Sequence, residues 1–446
     1  MSPQNKKEIE EEEEADSKPT GDTIASPRGT QDILPQEQKY WEYIVEHAKA
    51  LFRGWYFQEI QTPIFEDRRL FERSVGEETD IVQKEMFELK SRSRGTNNVL
   101  RPEATAPMVR AYIEHGMRSW PRPVKLFTVG PYFRYERPQA GRFRQHHQAD
   151  VEILGSASPV SDVEVIYVLH LLFTQLGLED YVVHINSLGL PSERKQYLKL
   201  LKEHFTRNAR KLPREDKERL KRSPLRVLDS KDEKTQRIAN TAPRLIDHLG
   251  EESKKHFDYV LEMLQELGIP HEVRPGLVRG LDYYTHTVFE FVPKSQSAEN
   301  PISFASGGRY DGLVKQLGGR DTAAVGAGIG IERVIERIKQ EGIELRFTDQ
   351  PQVFVAQLGD KAKVVALQLM KMLNEAGIPF AESIDRDGMQ QQLRMADRIN
   401  AAWAVIIGQK EVIDGTVILR NMESGMQEVV DQEKLSAELK RRLNLE

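Results

Sequence analysis

The 446-residue sequence contains no cysteine. Disulfides, thiolate nucleophiles and cysteine-ligated zinc or iron–sulfur centres are thereby excluded, and a reducing compartment suits the composition. Long apolar runs are also missing. None approaches the ~20 residues that cross a bilayer. The acidic N-terminus lacks the basic-then-apolar pattern of a secretory signal, so a cytoplasmic location with no membrane association is expected. A basic excess is missing too: 64 Lys and Arg stand against 69 Asp and Glu, for a formal net charge of −5. Nucleic-acid binders usually carry a positive footprint. Part of the deficit lies in the run Glu8 to Asp16, whose like charges repel, and residues 1–25 are expected to form a disordered acidic tail. Without that run the remainder is near neutral, so contact with nucleic acid would have to use local basic patches.

What is present reads as globular. Hydrophobic residues make up 39% and charged residues 30%, and the length exceeds one ordinary core, so two or three domains are expected. Order should begin near Arg28. Tyr40, Ile44, Ala48, Leu51 and Phe52 have helical spacing, ended by Gly54. Tyr56 to Thr62 alternates like a strand and stops at Pro63. Val124 to Val129 and Phe143 to Leu154 read as strands around a charged loop, and 160–177 as a helix. From about 190 to 250 the chain turns helical and polar, as an inserted domain would. Strand-like sequence returns at Leu277 to Val292, Ile302 to Gly308 and Ala323 to Ile329, before a helix with an Ile331, Val334, Ile335 and Ile338 stripe. Residues 341–351 read as a linker. Residues 352–446 then alternate strand and helix, as a separate α/β domain does.

Several familiar motifs fail here. Gly326, Gly328 and Gly330 miss the dinucleotide fingerprint, because the third glycine comes one residue early. No Walker-type loop occurs. His146 and His147 are adjacent, so in a strand they point to opposite faces and chelate one metal poorly. No zinc-ligand spacing is present, and no metal site of the protein's own is expected.

The unusual feature is arginine and carboxylate set among strand-forming residues. The segments are Arg101-Pro102-Glu103-Ala104-Thr105; Phe133-Arg134-Tyr135-Glu136 with Arg137-Pro138-Gln139 and Phe143-Arg144-Gln145-His146-His147-Gln148 up to Glu152; Leu277-Val278-Arg279-Gly280-Leu281-Asp282-Tyr283-Tyr284; Ser306-Gly307-Gly308-Arg309-Tyr310-Asp311; and Gly328-Ile329-Gly330-Ile331-Glu332-Arg333. Charge buried without a partner is costly. Each segment alone could be a structural ion pair, Arg309 with Asp311 for example. Tyr283 and Tyr284 could be plain core aromatics, and Glu103 a surface turn. Several strands each offering Arg point instead to one shared anionic ligand, because the guanidinium fork suits phosphate and keeps its charge. The residues alone imply a phosphate- or nucleotide-handling enzyme.

In this order the five segments closely resemble the motifs of histidyl-tRNA synthetases, over nearly everything from Arg28 onward. The helix and strand before Pro63 look like motif 1 of class II synthetases, usually a dimer interface. Phe133 to Glu136 with the following loop and strand looks like motif 2, and Gly326 to Arg333 like motif 3. The segments at 277–284 and 306–311 mark the histidine branch. The resemblance implies an α/β chain: an α+β catalytic domain over 26–340 with an antiparallel sheet flanked by helices, a helical insertion at 190–250, and an anticodon-binding domain over 352–446. It implies a homodimer that binds ATP, Mg²⁺, L-histidine and tRNA(His). Arg134 and Arg279 would be catalytic at the α-phosphate. Glu136, His146 and Arg333 would complete the ATP site. Glu103, Ala104, Thr105, Gln148, Glu152, Tyr283 and Tyr284, with Arg134 and Arg279, would hold histidine. Arg137 and Gln139 would meet the acceptor end of the tRNA, and the insertion would grip its arm.

Two positions depart from the commonest family sequence. Ala104 stands where glycine is usual, which matters only if the backbone there needs positive φ. His146 stands where many members have Phe; a histidine titrating near neutrality would weaken ATP binding at acidic pH. One rival is a histidine-sensing regulatory paralogue without catalysis. Such chains typically lose the arginine motif and the C-terminal domain, and both are present here.

Overall fold

Trp41, Ile44, Ala48 and Phe52 fall on one buried stripe of the helix Pro35–Gly54, and this amphipathic face fixes the helix to the molecule. In this computed structural model the described residues are 24–76, 79, 81–90, 97–136, 142–222, 224–228, 230, 232–278, 281, 283–296, 302–345 and 351–445. Nearly all of the expected tail lies outside them. Two compact units divide the chain, the first ending at Glu344 and the second beginning at Leu345.

The strands of the first unit are β1 (Gln58–Glu59), β2 (Phe65–Asp67), β3 (Asn98–Leu100), β4 (Val124–Phe133), β5 (Gln145–Leu154), β6 (Val182–Ser187), β7 (His271–Val273), β8 (Thr285–Val292), β9 (Ala305–Arg309) and β10 (Ala324–Gly330). Eight of them form one sheet in the order β1-β4-β5-β10-β9-β8-β6-β7. Its interior pairings are antiparallel, and only the edge pairs β1–β4 and β6–β7 are parallel. β2 and β3 pair separately. The strand expected over 56–62 shrinks to two residues. Tyr56 adopts φ 65°, outside the extended region. β4 conversely runs past Val129 to Phe133, so the motif 2 arginine follows directly on a strand end.

Pleating decides the two faces of β5. Ala149, Val151 and Ile153 share one face and are buried. The helices Val160–Gln175 and Ile331–Gln340 pack against β5 and β10. His146, Gln148, Asp150 and Glu152 alternate onto the other face, where the site lies.

Between β6 and β7 the chain makes a helical excursion with helices Pro191–Arg207, Arg214–Arg222 and Glu233–Ala239. Its buried Tyr197, Leu201, Phe205 and Leu245 belong to the same apolar cluster as Tyr283, Tyr284 and Tyr310. Its two ends meet on one carboxylate. Glu193 accepts hydrogen bonds from Leu190 N at 2.9 Å, Gly250 N at 2.9 Å and the Ser253 hydroxyl at 2.7 Å. A Cβ on Gly250 would overlap Glu193 Oε1.

The second unit has a five-stranded sheet of β11 (Val353–Gln357), β12 (Phe380–Glu382), β13 (Trp403–Ile407), β14 (Thr416–Asn421) and β15 (Gln427–Asp431), ordered β12-β11-β13-β14-β15. The first three strands run parallel and the last two antiparallel. Val353 and Val355 enter one apolar cluster, Phe354 and Ala356 another. Both faces are therefore covered, which accounts for the unbroken apolar run of β11. A short helix, Gln409–Asp414, was not expected from sequence. Among the described residues no helix is long and apolar enough to cross a membrane.

Candidate functional site

Register places the site residues side by side. On the open face of β5, Gln148, Asp150 and Glu152 lie opposite Gly330, Gly328 and Gly326 of β10. Across β4 the same residues face Gly130, Thr128 and Leu126. Two of these glycines, Gly326 and Gly328, are sterically required. A Cβ on Gly326 would overlap Glu152 Oε2, and one on Gly328 would stand 2.5 Å from Asp150 Oδ1. The triple glycine is thus a floor that lets the side chains of β5 lie across it.

At the open end of that floor is a cleft. Arg134, Glu136, Arg142, His146, Gln148 and Arg333 are among its lining residues. Arg134 is aimed by its Nε bond to the Pro102 carbonyl at 2.8 Å, and Arg333 by its Nη1 bond to the Ser303 carbonyl at 2.5 Å. Arg142 Nη1 lies 3.2 Å from Glu136 Oε2. Burial, then the neighbouring Arg142 and Arg134, draws the Arg333 guanidinium down from its ordinary value. Crowded guanidiniums of this kind suit a polyanion. His146 faces them. Burial, then Arg134 and Arg333, pushes its imidazole down to about 3. This corrects the expectation that His146 titrates near neutrality, because protonation is suppressed by desolvation and two adjacent positive charges. Beneath it, His147 points to the opposite face, with Nδ1 3.0 Å from Glu332 Oε1.

Deeper on the same face, buried polar side chains converge on Glu152. The Thr105 hydroxyl donates to Glu152 Oε1 at 2.6 Å, and the Tyr310 hydroxyl donates to Glu152 Oε2. The Tyr283 ring lies 4.7 Å from that of Tyr284 and 5.6 Å from that of Tyr310. The Tyr284 ring also lies against Gly308, where a Cβ would come within 2.9 Å of it. Burial lifts the Glu152 carboxyl to about 8, against the lowering effect of its two hydroxyl donors. Glu103 is buried and raised for the same first reason, burial. Its two oxygens accept the N–H groups of Thr105 at 2.9 Å and Ala106 at 2.8 Å, which caps the helix Thr105–Glu114. Each oxygen keeps acceptor capacity for a further donor. Ala104 sits at φ −93°, ψ −37°, so the position needs no glycine.

Two strand arginines take no part in a shared ligand, and for Arg309 the alternative of a structural ion pair holds. Arg309 is wholly buried. It bonds both oxygens of Asp162, Asp311 Oδ1 and the carbonyls of Ser156 and Ser158. Arg101 is spent on the carbonyls of Pro131 and Thr62 and the Thr62 hydroxyl, with its guanidinium 4.6 Å from the Tyr132 ring centre. Both are structural. Arg279, Arg137 and Gln139 lie outside the described residues. Tyr310 was missed as a pocket residue, although it stands beside Arg309 in a segment already singled out. Among the described residues no group of three or more His, Asp or Glu could hold a metal ion.

Comparison with known proteins agrees with this geometry. Residues 29–334 match the family described as histidyl-tRNA synthetase, and residues 352–442 match the anticodon binding domain. The histidine–tRNA ligase of Dehalococcoides mccartyi is 42% identical over 94% of this chain and 99% of its own length. That of Thermosynechococcus vestitus is 43% identical over 93% of this chain and 96% of its own. The crystal structure of apo S. aureus histidyl-tRNA synthetase superposes with a TM-score of 0.79 at 35% identity, covering 94% of this chain and all of that one.

An antiparallel sheet with arginines gathered over its open face, backed by helices and followed by an α/β unit, defines a class II aminoacyl-tRNA synthetase. The match runs from residue 29 through the C-terminal unit. The chain belongs to the histidyl-tRNA synthetase family.

Proposed function

We infer that this chain ligates histidine to its transfer RNA. It activates L-histidine with ATP to histidyl-adenylate, releasing pyrophosphate, and then transfers histidine to the 3′ end of tRNA(His). One observation carries the reading: the Arg134–Arg333 cleft and the hydrogen-bonded Glu152–Thr105–Tyr310 cluster lie on one face of one sheet.

The histidine carboxylate attacks the α-phosphorus, and the bond to the bridging oxygen of pyrophosphate breaks. No general base is required, since that carboxylate is ionised at neutral pH. Catalysis is in-line positioning with stabilisation of the charge that builds on phosphate. Arg134 serves the α-phosphate with Arg279, and Arg333 the γ-phosphate side, with Glu136 and His146 beside the nucleotide. Mg²⁺ arrives with ATP as part of the substrate, held chiefly by phosphates and water.

Glu103 takes the α-ammonium, with Ala104 and Thr105 forming that wall and Gln148 meeting the carboxylate end. Glu152 and Tyr284 read the imidazole nitrogens, joined by Tyr310, and Tyr283 lines the pocket. Polar walls of this kind reject analogues lacking a matching N–H by roughly 10⁴-fold, because the site's own groups are left unpaired. Arg137 and Gln139 sense the acceptor end, residues 190–250 grip its arm, and 352–446 read the anticodon across a 341–351 linker. The working form is a homodimer joined through motif 1, in the cytoplasm.

Pyrophosphate exchange with each of the twenty amino acids tests this. Exchange that depends on histidine alone is expected. Histidine binding without exchange would favour the regulatory paralogue. Arg279→Ala should cut adenylation by orders of magnitude while histidine affinity stays nearly intact.

A further inference from the structure

Thr128 Oγ1, Tyr132 Oη and Asp150 Oδ2 are buried and make no well-formed hydrogen bond among the described residues, the Tyr132 hydroxyl standing close to the Asp150 carboxylate. Thr128 and Asp150 face one another across the β4–β5 ladder, and Tyr132 lies further along the same face of β4. Thr128 and Tyr132 are 0% exposed and Asp150 5%. A fold leaves few such atoms unsatisfied, and three gathered on one face require a cause.

Position supplies it. Asp150 stands on β5 between Gln148, which lines the arginine cleft, and Glu152, which anchors the pocket. Its Oδ1 overlies Gly328, together with Gln148 Nε2. An amino acid whose carboxylate reaches the cleft and whose side chain reaches Glu152 has one group in between, the α-carbon with its ammonium. An ammonium brings three donors and a compact positive charge.

We propose that Asp150 is a further contact of the substrate's α-ammonium, acting with Glu103 to select an amino acid over ligands that carry only the imidazole. The proposal rests on the reading of the site as an amino-acid-activating one. Burial, then the like charges of Glu152 and Glu103, hold the Asp150 carboxyl well above the usual carboxylate range, against the lowering effects of the Tyr132 hydroxyl and the Arg101 guanidinium. A bound ammonium reverses that balance and leaves a carboxylate facing its counter-charge.

Calorimetric binding of two probes to the full chain and to Asp150→Asn tests this. Histidinol keeps the ammonium and imidazole, whereas imidazolepropionate lacks the ammonium. The substitution is expected to weaken histidinol by about tenfold or more and to leave imidazolepropionate within about twofold. Equal losses for both probes, or an unchanged histidinol affinity, would overturn it and assign the three atoms to a buried water. If melting curves show that Asp150→Asn does not fold, Thr128→Val is measured with the same pair, and the same asymmetry or its absence decides. Wild-type chain without histidine-dependent exchange would instead defeat the functional reading, an outcome distinct from either result.

Discussion

The Thr105 hydroxyl donates to Glu152 across 2.6 Å, joining the first residue of a helix to the floor of the sheet. Helix and strand are thereby locked at the point where the imidazole should sit. The bond also draws the Glu152 carboxyl down against the opposing effect of burial. Thr105→Val keeps the shape and removes the donor. It should raise KM for histidine about tenfold with little change in KM for ATP, and Thr105→Ser should restore most of the loss. Steady-state pyrophosphate exchange reads both constants.

Glu152 makes stability depend on pH. Burial pushes its carboxyl up to about 8 in the folded chain, from an ordinary value of 4.5. Between those limits the folded chain holds a proton that the unfolded chain has released. This contribution is complete below 4.5 and is lost as pH rises through about 8. Glu152→Gln removes it. The wild-type Tm should fall relative to the variant's between about pH 5.5 and about pH 8.5. Parallel curves over that range would count against a protonated Glu152.

His146 leads to a prediction of the opposite kind. Held down to about 3, its imidazole stays neutral across the working range. KM for ATP should therefore show no inflection from His146 between about pH 5.5 and about pH 8. A titration in that window that disappears in His146→Phe would refute the neutral assignment.

Arg309 separates structure from catalysis. Arg309→Leu removes the guanidinium paired with the buried Asp162 and leaves His256 Nε2 3.0 Å away from that carboxylate. Breaking such a pair costs roughly 3–5 kcal/mol. The expected product is poorly folded protein with a much lower Tm. A variant that melts like wild type but has lost exchange would make Arg309 a ligand-binding residue instead.

Gly326→Ala places a methyl group into Glu152 and near the Val151 carbonyl. Loss of histidine-dependent exchange by about a hundredfold or more is expected, whereas Gly54→Ala, with nothing within 4 Å, should be silent.

Much of this was legible in sequence because it depends on local pattern. The stripe from Ile44 to Phe52 and the small-residue strand ending at Gly330 are set by spacing alone. Contacts at long range were not. The pair of Arg309 with Asp311 was within reach of the sequence, but nothing near Arg309 in the chain announces Asp162, 147 residues away, and that partner appears only in three dimensions. Tyr310 was hidden for the same reason, since its partner Glu152 is 158 residues distant. The capping role of Glu103 was not legible, because the helix begins only two residues later, where a proline-containing segment reads as a turn. The glycines of β10 looked like a failed nucleotide motif. Their cause is the bulk of the side chains on the neighbouring strand, and no single-strand pattern carries that information.

Glu193 has a consequence for how such a molecule could change over generations. Departure and return of the helical excursion are pinned to the same carboxylate, so the sheet feels a single attachment point whatever hangs from it. Lengthening a closed loop adds entropy cost only logarithmically. Segments of other sizes could be exchanged there while β6, β8 and the reacting centre keep their places, with the apolar seam against Tyr283 and Tyr284 as the one surface any replacement must still cover.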